Sequence, residues 1–212
     1  MSDYPTPFEP DQDPDIVLML KIQQGDALAF EELMNRNQDR VHSLLQNMIG
    51  NWQLAEDLTQ EVFLRIYRAR STYSPDAPFS TWLYRIVHNI ALNAIRSKHR
   101  HPELLFSGAG GKQSNQSSSF AFENTLLAKS GLLPARQLAQ KEIQEVVRSA
   151  IDCLSERQRM ALLLHRFEKM SYQQIADIMS LTPKAVKSLL CRARLNLKDL
   201  LKSYVEEGEE DK

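Results

Sequence analysis

Apolar residues recur along this chain at intervals of three and four, and no stretch alternates strictly between apolar and polar positions. The pattern therefore predicts helices and no strands. A first helix is predicted over 16–24, stopped by Gly25. A second runs over 27–49, with Leu33, Val41, Leu44, Leu45 and Met48 in its apolar stripe and Gly50 at its end. A third, over about 53–70, sets Leu54, Leu58, Val62 and Ile66 four apart, with Phe63 and Tyr67 beside them on the core face. After a turn built on Ser74-Pro75-Asp76 and Pro78, Ser80 is placed to cap a fourth helix that runs to about Lys98, with Phe79 stapled onto Tyr84. Leu83, Ile86, Val87, Ile90, Ala91, Ala94 and Ile95 form its buried stripe.

The C-terminal part carries sharper punctuation. Ser155-Glu156-Arg157-Gln158 and Ser171-Tyr172-Gln173-Gln174 both have the form of a capping box, and Thr182-Pro183 puts a cap before a proline at the first helical position. These signals mark helices over 156–167, 172–179 and 183–201, preceded by one over 139–154. Only Ser180-Leu181-Thr182 separates the last two, which is the short turn of a helix-turn-helix. Between the two helical parts, 107–119 is rich in Gly, Ser and Gln and offers nothing to anchor a core, so it reads as a flexible tether. The expected fold class is all-α, with two helical domains joined by a flexible linker. The division is an acidic arm at 1–14, a first domain at 15–100, the linker at 101–138, a second domain at 139–204 and an acidic tail at 205–212.

Composition narrows the class. With 212 residues, 42% apolar and 25% charged, the chain has an ordinary globular make-up. No apolar run approaches the roughly 18 residues of a membrane span, and the acidic, proline-containing start does not resemble a secretory signal, so a cytoplasmic protein without membrane insertion is expected. Cys153 and Cys191 are too far apart, and too few, for a disulfide framework or a zinc site, and no metal or cofactor is expected. The net charge of −1 conceals a gradient: residues 1–14 hold four acids and no base, 141–204 hold twelve bases and seven acids, and 205–212 hold five acids and one base. A basic C-terminal block asks for a polyanionic partner.

Three helix faces carry candidate chemistry. Opposite the core of the third helix lie Asp57, Gln60, Glu61, Leu64, Arg65 and Arg68, a polar strip that suits a basic protein surface or simply solvent. The fourth helix has a second stripe, Trp82, Arg85, Asn89, Asn93 and Arg96, and no carboxylate from Arg85 to Arg100. Guanidinium groups neutralise phosphate, asparagine amides address base edges, and Trp82 and Tyr84 can stack on an unpaired base, although both aromatics also suit a core. His88 and His99 stand close by in sequence. The last helix presents Lys184, Lys187, Ser188, Cys191 and Arg192, a set able to enter a major groove; the plainer reading is a helical hairpin with a basic surface.

Taken together, these segments resemble a bacterial RNA polymerase sigma factor of the extracytoplasmic-function (ECF, group IV) type, and the likeness covers nearly the whole chain. AEDLTQEVFLRIYRA at 55–69 and FSTWLYRIVHNIALNAIR at 79–96 resemble sigma region 2, and LSERQRMALLLHRFEKMSYQQIADIMSLTPKAVKSLLCRARLNL at 154–197 resembles region 4. The resemblance implies that Asp57, Gln60, Glu61 and Leu64 bind the clamp helices of the largest polymerase subunit, with region 4 on the flap of the second largest. It also implies that Trp82, Tyr84, Arg85, Asn89, Asn93 and Arg96 melt and read the minus-10 element, with the loop before Phe79 helping to hold a flipped base. Lys184, Lys187, Ser188, Cys191 and Arg192 would then read the minus-35 element. Promoter DNA and core polymerase are the implied partners, and an anti-sigma factor is a further one. Lys184 stands where the family commonly has glycine, Leu189 where arginine is common and Cys191 where a larger side chain is frequent, so the minus-35 sequence does not carry over.

The competing reading is a stand-alone helix-turn-helix regulator, which leaves the second stripe of the fourth helix without a role. An enzyme fits poorly: the five histidines show no HExxH spacing, no GxSxG occurs, and GAGG is not a phosphate loop.

Overall fold

The structure, a computed structural model, describes residues 13–100, 143 and 145–210, and the chain divides into two compact units. The expected tether at 101–138 lies outside the described residues. Every regular element among the described residues is helical.

In the N-terminal unit, α1 (Pro14–Gln23), α2 (Ala27–Ile49), α3 (Trp52–Ala69) and α4 (Phe79–Arg100) form a bundle, with a short 3-10 turn at Arg70–Thr72 after α3. Each connection follows from local chemistry. Gly25 (φ 92°) and Gly50 (φ 74°) take the left-handed conformation that only glycine adopts without strain, ending α1 and α2. Asp26 then accepts from the amides of Leu28 and Ala29, and Asn51 accepts from Leu54 N at 2.8 Å, so each new helix starts capped directly after the turn. The core gathers Met19 and Ile22 of α1, Leu33 and Leu45 of α2, Val62 and Ile66 of α3, and Phe79, Leu83, Tyr84 and Val87 of α4.

Three expectations are corrected here. On α3 the buried face is Ala55, Thr59, Val62, Phe63 and Ile66, while Leu54 and Leu58 are half-buried and Tyr67 is exposed. The small Ala55 and Thr59 face inward, and the Thr59 hydroxyl is satisfied within the helix by donating to Ala55 O at 2.7 Å. Tyr67 instead lies at the rim, its ring edge-on to Phe30 at 5.2 Å and beneath the Arg70 guanidinium at 4.0 Å. On α4, Ser80 is not the cap: the helix begins at Phe79, whose amide donates to Asp13 Oδ2 at 3.1 Å. Asp13 is therefore not part of a separate arm, since it also caps α1 through Oδ1, accepting from Asp15 N at 3.0 Å.

The C-terminal unit contains α5 (145–152 among the described residues), α6 (Glu156–Arg166), α7 (Tyr172–Met179) and α8 (Pro183–Glu210), with α6 packed on α8. All three sequence-derived caps form. Ser155 Oγ accepts from Gln158 N while Gln158 Oε1 accepts from Ser155 N; Ser171 and Gln174 repeat the exchange; and Thr182 Oγ1 accepts from Ala185 N at 3.2 Å. The turn between α7 and α8 closes with Leu181 N donating to Ala176 O at 2.9 Å, and Ser180 in its left-handed slot at φ 54°. Ile175, Ala176, Met179, Val186 and Leu190 are buried, and Leu181 is half-buried. α8 continues well past the expected stop at Leu201, to Glu210, so most of the expected acidic tail is helical backbone. Nothing from Asp199 to Glu207 breaks a helix, and glutamate is a good helix former.

Candidate polymerase and nucleic-acid interfaces

The α3 strip is assembled by helical spacing alone. Asp57, Gln60, Glu61 and Leu64 fall at i, i+3, i+4 and i+7, one face of a helix whose opposite side is anchored in the bundle. Asp57 and Gln60 are exposed, and Leu64 is 50% exposed among them, a large apolar side chain left in water. Glu61 is half-buried and accepts from Arg65 Nε at 2.7 Å, an exposed i,i+4 pair of the kind that contributes only about 0.3–0.5 kcal/mol. The strip thus presents carboxylate, amide and one leucine on a rigid rod.

On α4 the structure separates residues that sequence grouped together. Arg85, Asn89, Asn93 and Arg96 are all exposed, so the four share one accessible face. Tyr84 is 0% exposed and belongs to the core, with the Arg40 guanidinium 6.0 Å from its ring centroid; it cannot stack on a base without leaving the bundle. His88 is buried as well and adds no accessible charge. Trp82 is half-buried, its ring 4.9 Å from Tyr73 and 5.8 Å from Phe79, so at most one flank of the indole meets solvent.

The segment from Tyr73 to Phe79 borders this aromatic cluster. Ser74 and Asp76 are exposed at its tip, where Ser74 Oγ donates to Asp76 Oδ1 at 3.1 Å. The hydroxyls of Tyr73 and Thr81 are buried and make no hydrogen bond. Burial, with Asp13, Asp76 and Asp15 nearby, pushes the Tyr73 phenol up to about 12, so it is neutral throughout the physiological range.

On α8, Lys184, Lys187, Ser188, Cys191 and Arg192 are all exposed, with Arg194 and Lys198 further along, while Val186, Leu190 and Ala193 are buried on the other side. The five side chains therefore share one exposed side of the helix. Cys153 and Cys191 are exposed free thiols, and among the described residues no group of three His, Cys, Asp or Glu could hold a metal ion. No helix among the described residues is long and apolar enough to cross a membrane.

Sequence reading missed Asp13, Asp15 and Gln23. Asp15 accepts from Arg36 Nε at 2.8 Å and from the buried Asn37 amide at 3.3 Å, and Gln23 Nε2 donates to the carbonyls of Arg70 and Tyr73 at 2.8 Å each. Asp13-Pro14 has the same cap-then-proline form as Thr182-Pro183, and that was the available signal.

Comparison with known proteins places these faces in a family. Residues 33–101 match the family model Sigma-70 region 2, and residues 144–197 match Sigma-70, region 4. The RNA polymerase sigma-H factor of Pseudomonas aeruginosa is 32% identical over 197 residues, covering 93% of this chain and 98% of that protein. The ECF RNA polymerase sigma-E factor of Escherichia coli K12 is 32% identical over 180 residues, covering 85% and 90%. Among solved structures, CnrH in complex with the cytosolic domain of CnrY shares the fold, with a TM-score of 0.62 at 22% identity, covering 90% of this chain and 99% of that one. So does the sigma factor RpoE of Bartonella quintana, solved with the anti-sigma factor NepR, with a TM-score of 0.61 at 20% identity and coverage of 82% and 96%. With both sigma-70 regions present in order and relatives matched almost end to end, the chain belongs to the sigma-70 family of RNA polymerase sigma factors and is of the ECF type.

Proposed function

We propose that this chain, as a group IV sigma factor, docks on core RNA polymerase through Asp57, Gln60, Glu61 and Leu64 of α3, opens and reads the minus-10 element with α4, and reads the minus-35 element with α8. The observation that carries this reading is the exposed α4 face of Arg85, Asn89, Asn93 and Arg96, free of carboxylates and lying within the stretch matched by sigma region 2. Its two arginines neutralise strand phosphates, and its asparagine amides supply a donor and an acceptor each to bases whose edges are freed by melting. Half-exposed Trp82 supplies the one aromatic surface at the start of that face. On α8, Lys187 and Arg192 reach guanine edges or phosphates and Ser188 serves either, in a duplex rather than an open strand.

The chain acts as a specificity subunit in the cytoplasm, where core polymerase works, and supplies no catalytic group of its own. An anti-sigma factor is a further partner in this reading, supported by the RpoE relative, which was solved with one. A stand-alone regulator would need no polymerase to reach its DNA. Coprecipitation with core polymerase, followed by permanganate footprinting of a promoter selected from a genomic library, tests the division of labour. Asn89→Ala and Asn93→Ala should leave coprecipitation intact and reduce strand opening. Loss of polymerase binding in either variant would contradict the assignment.

A further inference from the structure

The segment from Tyr73 to Phe79 is fastened at both ends to one element, α1. At the C-terminal end of α1, Gln23 Nε2 donates to the carbonyls of Arg70 and Tyr73, both at 2.8 Å. At its N-terminal end, Asp13 Oδ2 accepts from Phe79 N, the first amide of α4, at 3.1 Å. Positions 13 and 23 are ten helical steps apart, about 15 Å, whereas the six steps from Tyr73 to Phe79 reach about 20 Å when fully drawn out. With its two anchor residues set that far apart on one helix, the strap is restricted in the paths it can take, and Pro75 and Pro78 remove more of its freedom.

α1 is itself held firmly enough to serve as the fixed piece. Asp15 is gripped by Arg36 at 2.8 Å and by the Asn37 amide, and the 2%-exposed Asn37 also donates to Leu33 O at 3.0 Å, so the start of α1 is tied to α2. Its other end passes into α2 through Gly25 and the Asp26 cap, and Ile16, Leu18, Met19 and Ile22 are buried between. The Asp13 carboxylate uses one oxygen on its own helix and the other on α4, where a negative charge also suits the positive end of the helix dipole.

We propose that α1 is a splint for the 73–79 strap, and that Asp13 and Gln23 are positioning residues for promoter opening: together they hold the strap and the first turn of α4 in the form that receives the separated strand. This rests on the reading of α4 as the minus-10 element reader. A splint acts only while both ends are fastened. Release of either end loosens the strap between the buried side chains of Tyr73 and Phe79, and release of the second adds little.

That property separates a splint from two ordinary stabilising hydrogen bonds, because sites this far apart otherwise contribute independently. Asp13→Asn keeps an equally good cap for α1 but replaces one acceptor with an amide NH2, which cannot accept from Phe79 N. Gln23→Met keeps length and helix propensity and removes the donor. The whole chain and both variants, singly and combined, are compared in two measurements.

In the free protein, amide hydrogen exchange should speed up in each variant at the two hydrogen-bonded amides of the strap, Tyr73 N and Phe79 N, including the one at the end remote from the substitution. Gln23→Met should expose Phe79 N. With core polymerase on the selected promoter, each variant should bind polymerase normally and lower opening by a similar factor, about fivefold, although Asp13→Asn loses one hydrogen bond and Gln23→Met two, because release at either end loosens the same strap. The double variant should match either single one. Exchange confined to the substituted end, unaltered opening in the single variants, or a double effect equal to the product of the two would overturn the splint. If the unsubstituted chain opens no promoter with core polymerase while the exchange results hold, the function assigned to α4 fails and the positioning role falls with it; the mechanical coupling would stand alone.

Discussion

Tyr73 shows how a single side chain reports on the start of α4. Its phenol is held neutral by burial first and by Asp13, Asp76 and Asp15 second, with the folded value raised from 10 to about 12. A raised value means that the fold favours the protonated form. The stabilisation is fully present below pH 10 and is lost as pH climbs toward 12. Tyr73→Phe should therefore flatten the alkaline fall in stability over that window, read by denaturant midpoints at a series of pH values; an unchanged slope would show that another group governs it. At Ser180 the backbone sits at φ 54°, a conformation that costs a non-glycine residue roughly 1 kcal/mol. Ser180→Gly should raise stability by up to about 0.5 kcal/mol, the relieved strain less a glycine entropy loss of about 0.5–1 kcal/mol, measured by urea unfolding. Asp57→Ala and Glu61→Ala should weaken polymerase binding severalfold with the melting temperature nearly unmoved, since the first side chain is exposed and the second gives up only the surface pair with Arg65.

Single residues were also where sequence reading failed. The exposure of Arg85, Asn89, Asn93 and Arg96 on one face could be read because polar residues on a steady helical period have one outward direction. Tyr84 could not, because an aromatic that starts a helix suits a base stack and a core alike, and only packing against neighbouring helices decides. At Asp13 the cap-then-proline form was a local signal for its bond to Asp15 N, but its second partner, Phe79 N, is 66 residues away, beyond any local pattern.

At the scale of whole elements the C-terminal unit was the more legible. Its helix starts are written in side chains within three residues of the backbone groups they satisfy, so Ser155, Ser171 and Thr182 could be read directly and all three bond as expected. The core face of α3 was misread because periodicity weighs leucine above alanine, whereas small Ala55 and Thr59 turn inward and Leu54 and Leu58 stay at the flank. The end of α8 was misplaced because weak stop signals do not halt a chain of good helix formers. For the element itself the expectation concerns salt. Lys187→Ala on the exposed face of α8 should weaken minus-35 duplex binding by the polymerase-bound factor at every sequence tested and reduce the slope of log affinity against log salt by about 1 if it contacts phosphate. A changed base preference with an unchanged slope would mean that Lys187 reads a base.

For the molecule as a whole, the organising idea is that two modest DNA contacts on one chain become strong when polymerase fixes their separation. Each then binds at the effective concentration set by the other. In the proposed reading, phosphate contacts from the basic C-terminal segment, with twelve bases against seven acids over 141–204, add affinity to the base contacts of α8, and the α4 face adds affinity only where strands separate. The most direct test is run-off transcription from a genomic library with purified core polymerase, with and without this chain. The account predicts specific starts that appear only when the chain is added, and that disappear when either the α4 face or the α8 face is replaced. A chain that never stimulates initiation with core polymerase on any template, or that does so with the α4 face replaced, would contradict it.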